Sequence, residues 1–246
     1  MRGRGGGPAR SRVAWAAWAK RIDCCNVRAV DDSRERKDLR TGGILIAITG
    51  ALYVSGLIGR GASIDPSTEP VAFAQFVSSA RGIASAAVYI LGMGIHITAV
   101  VVAARGLQQV NPFAVSLTVV LTIASLVLTI AVIGPFVYTW PAIGRSYLDG
   151  NTRALEAVPL AVGNLFIGSV LAEGALATLA GVLFARLLTR AGFPNWIAWA
   201  YGCAAPLYAT PIPGIYAEVT GSALLIVAGI GLARTPQLEG DSAARE

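Results

Sequence analysis

The chain has 246 residues, 54% of them hydrophobic and 14% charged, with a mean hydropathy of +0.61. That mixture excludes an ordinary soluble domain and a disordered chain, and three cysteines with one histidine exclude a disulfide scaffold and a metal-cluster protein. The net charge of +6 sits entirely in residues 1–40, where eleven Lys/Arg face five Asp/Glu, and the rest of the chain is balanced.

A basic leader beside an apolar span reads as contact with anionic lipid headgroups rather than as a nucleic-acid arm. Within residues 1–40, the glycine-rich stretch Arg2 to Pro8 is expected to be disordered. Trp15, Trp18, Ile22 and Cys25 recur at helical spacing beside Arg12, Lys20 and Arg21, the pattern of a short helix in the headgroup zone. The apolar run Val13 to Ala19 ends at Lys20, too short for a secretory signal. Cys24, Cys25 and Cys203 have no ligand spacing and read as free thiols. Scarce Lys among abundant Arg and Ala suggests a GC-rich bacterial coding sequence, and so a cytoplasmic membrane.

From Thr41 on, the chain repeatedly offers the roughly 20 apolar residues that cross a bilayer. Six spans are predicted: Gly42 to Gly59, Gly82 to Ala104, Pro112 to Tyr138, Val158 to Phe184, Asn195 to Thr210, and Pro213 to Ala233. The fifth is the weakest, short and holding Pro206. The expected fold is therefore all-α, a six-span transmembrane bundle over residues 41–234, followed by a disordered tail, 235–246. Between the first two spans, Asp65, Pro66, Ser67 and Pro70 precede Val71, Phe73, Phe76 and Val77, a start signal for a short amphipathic helix on the outer surface. Tyr138 and Trp140, and Trp196 with Trp199, are expected at the two interfaces.

Sixteen of the twenty Lys/Arg fall on one side of this arrangement, so both termini are expected to be cytoplasmic. Expected partners are the bilayer, anionic headgroups at the leader, and membrane subunits or further copies of the chain. No cofactor or metal is expected.

Small and polar residues at helical spacing mark the faces turned inward, since close packing and hydrogen bonds hold helices together in lipid. They are Thr49, Tyr53 and Gly56; Ser85, Tyr89, Gly92 and His96; Thr118, Thr122, Ser125 and Thr129; Ser169, Glu173, Ala177 and Gly181; Gly214, Glu218 and Ser222. Such hydroxyls also bond back to their own helix.

His96, Glu173 and Glu218 are the ionisable residues well inside the predicted spans, where a charge is costly and function is the first hypothesis. At about 1.5 Å per residue, His96 lies roughly 13 Å, Glu173 roughly 20 Å and Glu218 roughly 24 Å from the cytoplasmic edge. His96 and Glu173 could meet near mid-membrane as a proton-exchanging pair if the second and fourth spans are neighbours. The alternative is a neutral His96 bonded to a backbone carbonyl or to Tyr89 and a protonated Glu173 bonded to a nearby Ser or Thr, and Glu218 is expected to face an outer vestibule. The chain has no GxSxG, HExxH or Walker A motif, which disfavours the familiar hydrolases and nucleotidases.

The opening span TGGILIAITGALYVSGLIG, the connector DPSTEPVAFAQF and the segment FARLLTRAGFPNWIAWAYG resemble small six-helix bacterial membrane proteins classed as domains of unknown function. The resemblance covers residues 41–233 and implies the bundle without a catalytic residue.

Three functions fit the sequence. A permease or proton-linked transport component with His96 and Glu173 on its path requires a wet cavity at mid-membrane. An intramembrane enzyme with Glu173 or Glu218 as general acid, similar to small polytopic terpene cyclases in size and in its membrane carboxylates, requires a lipid-accessible apolar pocket. An accessory subunit requires only a closed bundle.

Overall fold

The computed structural model describes residues 33–60, 68–209 and 215–243, with backbone alone at 60, 157–170, 208–209, 215 and 236–243. The glycine-rich start, the interfacial helix around Trp15 and Trp18, Cys24 and Cys25, Asp65 to Ser67 and the break at 210–214 therefore lie outside the described residues.

The described chain is helical throughout: α1 (Ser33–Arg60), α2 (Pro70–Ser78), α3 (Ala80–Arg105), α4 (Pro112–Ile133), α5 (Pro135–Leu148), a short 3-10 turn (Thr152–Leu155), α6 (Ala157–Arg190), α7 (Asn195–Ala209) and α8 (Ile215–Ala243). Five stretches are long and apolar enough to cross a membrane: Ser33–Gly59, Ala80–Arg105, Pro112–Leu148, Leu171–Arg190 and Tyr216–Thr235.

Three boundaries differ from the sequence expectation. Helix α1 begins at Ser33, inside the predicted leader, because Arg, Glu, Lys and Leu are good helix formers and carry the helix out of the apolar zone. The third span breaks at Gly134 and restarts at Pro135 as α5, which continues past Tyr138 to Leu148. Proline at the first helical position has no N–H to lose, so one helix can end and another begin without a loop. At the other end of the chain, α8 keeps a helical backbone to Ala243, where the sequence suggested a disordered tail.

Helix ends follow their local chemistry. Asn111 caps α4, its side chain accepting from the Ala114 N–H at 3.0 Å with Pro112 next. Helix α6 ends at Gly192, whose φ of +85° lets the Phe193 N–H reach back to the Leu188 carbonyl at 3.0 Å. Pro194 then starts the reversal into α7.

Six helices close into a ring in the order α1, α3, α4, α6, α7, α8 and back to α1, each packed on its two neighbours. Its tightest seams flank α1, where glycines let backbones approach. A Cβ on Gly50 would lie 2.6 Å from the Ser222 carbonyl oxygen of α8, one on Gly229 would lie 2.5 Å from the Ala47 nitrogen, and one on Gly42 would lie 2.6 Å from Ala103 Cβ of α3. These contacts set α1 antiparallel to both neighbours and gather Arg34, Arg36, Lys37, Arg40, Arg105 and Arg234 at one end, here called the basic end.

Away from the basic end, α2, α5 and the 3-10 turn pack together through Phe73, Ala74, Val77, Trp140 and Leu155. Trp140 is buried there, its ring edge-on to Phe73 at 5.9 Å, so it is a core residue of this cap and not the interfacial ring the sequence suggested. Tyr138, Trp196 and Trp199 are exposed. The expected short helix is α2, starting after Glu69.

Candidate functional site

Inside the ring lies a cavity of about 60 Å³ to which all six ring helices contribute. Helix α1 provides Tyr53; α3 provides Tyr89, Met93 and His96; α4 provides Thr122, Ser125, Leu126 and Thr129. From the far side come Glu173, Ala177, Ala180 and Gly181 of α6, Tyr201 and Ala205 of α7, and Leu225 of α8. One water molecule needs roughly 10–15 Å³ of such space, so a few waters or one compact solute fit.

The cavity follows from the side chains around it. Gly181 and Gly202 let α6 and α7 approach closely, and Ala177, Ala180 and Ala205 leave space where larger residues would fill it. Toward the basic end the space stops at a plug of buried residues: Val100, Ala103, Ala104, Leu107, Phe184, Leu187 and Leu188. No residue of α2 lines the cavity; that helix packs in the cap.

His96 is half-buried on the cavity wall. Its Nδ1 is 3.4 Å from the Tyr53 hydroxyl and its Nε2 is 3.2 Å from the Tyr201 hydroxyl. Tyr53 in turn stacks on Tyr89, ring centres 4.7 Å apart and planes 27° apart, while Tyr201 packs against Phe184 at 4.6 Å. A neutral imidazole carries one donor and one acceptor, so one phenol donates to it and the other accepts from it. Exchanging the tautomer reverses both bonds, and this chain of three side chains spans α1, α3 and α7.

The direct pairing of His96 with Glu173 is not made: both ring nitrogens are engaged by tyrosines, and α3 and α6 are not neighbours in the ring. The two residues instead face one cavity. Glu173 is half-buried and lines it, across from Thr129 of α4 on the same cavity. Glu218 lies in the first turn of α8, outside the cavity lining.

The α4 hydroxyl stripe, expected as a polar inward face, mostly bonds along its own helix. Thr118 donates to the Ala114 carbonyl at 2.8 Å, Thr122 to Thr118 at 2.8 Å and Thr129 to Ser125 at 3.1 Å. Ser125 reaches across, donating to the Glu173 backbone carbonyl at 3.3 Å.

Sequence reasoning missed the roles of Tyr53 and Tyr201. Tyr53 was visible in the α1 stripe, whereas Tyr201 lay in the one span without a stripe. The available signal was a tyrosine among Ala and Gly, in phase with the buried Ile197, Ala198 and Ala204. Among the described residues, no three His, Cys, Asp or Glu side chains gather so that they could hold a metal ion. Compared with protein-family models, curated proteins and solved structures, the chain matches none.

Proposed function

We propose that this chain is a proton-linked permease component: a six-span bundle with both termini cytoplasmic that passes a compact solute through its central cavity while His96 and Glu173 handle a proton. The observation carrying this reading is the cavity itself, walled by six helices, with a tyrosine-bracketed histidine on one side and a carboxyl on the other. In lipid such groups are costly, and their convergence on one wettable space supports a path for polar cargo. The plug toward the basic end fits one closed gate of an alternating-access cycle.

Two further points support the membrane arrangement. Basic residues of α1, α3, α6 and α8 gather at one end, as the positive-inside rule requires of a cytoplasmic face with anionic headgroups. Helix α7, at 15 residues, rises only about 22 Å. It nevertheless runs outward from the basic end beside α6 and α8, and in this reading it is the fifth of the six crossings. A cavity that holds a few waters gives poor room for a prenyl chain, which weighs against the enzyme reading.

The test uses the full chain in liposomes enclosing a pH-sensitive dye, with a compact solute of each charge class added outside: guanidinium, urea and methanesulfonate. The expected result is proton movement that depends on one of the three, and that His96→Gln and Glu173→Gln each abolish while the protein remains folded. Wild-type vesicles indistinguishable from empty ones with all three solutes would overturn the proposal.

A further inference from the structure

We infer that the solute class accepted by this cavity is a compact nitrogen cation bearing several N–H donors, of the guanidinium or primary ammonium kind, held between Glu173 and the hydroxyl oxygens of α4. The inference rests on the permease reading for its purpose and on the cavity wall for its chemistry.

The wall is defined by where its protons go. The Thr122 hydroxyl proton is committed to the Thr118 carbonyl, and that of Ser125 to the Glu173 backbone carbonyl. A hydroxyl has a single proton but two lone pairs, so what these two cavity-lining residues have left to offer is acceptance. The Thr129 proton goes to the Ser125 carbonyl at 3.1 Å. An ionised carboxylate accepts only. The polar part of this wall is therefore short of donors, and the rest of the lining is apolar.

The other lining residues add donors only as phenols, since whichever of Tyr53 and Tyr201 accepts from His96 still carries its own hydroxyl proton. No lysine or arginine lines the cavity, and His96 has both nitrogens engaged by phenols. An anion entering here would meet oxygen lone pairs and a carboxylate. A cation with several N–H groups supplies the donors the wall lacks, and charge-assisted bonds to a carboxylate are the strong kind. The rings of Tyr53, Tyr89 and Tyr201 beside it suit a cation. The volume limits the ligand to a few heavy atoms. Because the Glu173 carboxylate cannot hold a proton and this cation at once, entry of one releases the other, and the coupling is an exchange.

The test is equilibrium binding to the full chain in lipid nanodiscs, read by intrinsic fluorescence and calorimetry. Four probes separate the ingredients: guanidinium has charge and donors, urea has the shape and donors without charge, tetramethylammonium has charge without donors, and methanesulfonate is an anion. Guanidinium is expected to bind saturably and the other three at least about tenfold more weakly, a difference of about 1.4 kcal/mol. Glu173→Gln and, to a lesser degree, Thr122→Val are expected to weaken guanidinium binding, with unchanged thermal unfolding showing that the bundle is intact. Equal binding of tetramethylammonium, preference for methanesulfonate, no guanidinium binding, or full binding by Glu173→Gln would each overturn the inference. Failure here remains distinct from failure of the permease reading. Proton movement driven by methanesulfonate or urea would sink the cation assignment and leave the permease standing. Guanidinium binding without proton movement would do the reverse.

Discussion

Between Tyr53 and Tyr201, His96 has a phenol on each nitrogen, and this makes the two tyrosines more informative than the histidine alone. Removing the Tyr201 hydroxyl leaves its ring packed against Phe184 and takes away only the Nε2 partner. For Tyr201→Phe we expect a stability loss of about 1 kcal/mol, typical of one hydrogen bond, together with a much larger fall in proton movement. Thermal unfolding beside the dye assay checks both. Thr118→Ala is the contrasting case: that hydroxyl bonds its own helix and does not line the cavity. Its loss is expected to cost about 0.5 kcal/mol, near the average for polar side chains in membrane bundles, and to leave proton movement unchanged. Part of this was legible in the sequence, because His96, Glu173 and Glu218 stand out wherever a charge must be hidden from lipid. Tyr201 was not, since a tyrosine in a membrane protein suits the interface as well as the interior.

At the scale of helices, α1 is the element on which the ring is built. Its glycines face α3 and α8 at separations that leave no room for a methyl group, and the atoms met are largely backbone, which cannot swing aside. Gly50→Val, against the Ser222 carbonyl and Ile226, is therefore expected to destabilise by about 1–3 kcal/mol, the usual cost of overpacking. Unfolding in detergent measures this. The same substitution at Gly94, where nothing lies within 4 Å, is expected to cost far less, and equal effects at both sites would count against the α1–α8 packing. Hydropathy located these helices because burial in lipid is written in composition. It misplaced the end of the third span because Gly134 and Pro135 interrupt hydrogen bonding without interrupting apolarity. It also could not show that Trp140 turns onto Phe73, a contact between elements distant in sequence.

For the whole molecule, ring closure brings six separate helix faces onto one shared cavity. The sequence marked which faces turn inward on five of those helices but not their order around the ring, which is why a direct pairing of His96 with Glu173 hung on the second and fourth spans being neighbours. The proposed orientation puts the basic end of the ring in the cytoplasm. A fluorescent protein fused after Glu246 is expected to fold and fluoresce in the cytoplasm, and alkaline phosphatase fused at Gly150 to be active on the other side. The reverse pattern would invert the assigned faces.

The account depends most on polar access to the centre of a lipid-embedded ring, and cysteine labelling in native membranes measures that access directly. In a background carrying C24A, C25A and C203A, Ala177→Cys and Ala205→Cys place thiols on the cavity wall, and Leu179→Cys places one on the exposed outer face of α6. Treated with a membrane-impermeant ethylammonium thiosulfonate, the two cavity positions are expected to be modified and protected by guanidinium, while Leu179→Cys stays unmodified. Modification at Leu179→Cys with neither cavity thiol labelled would contradict the account.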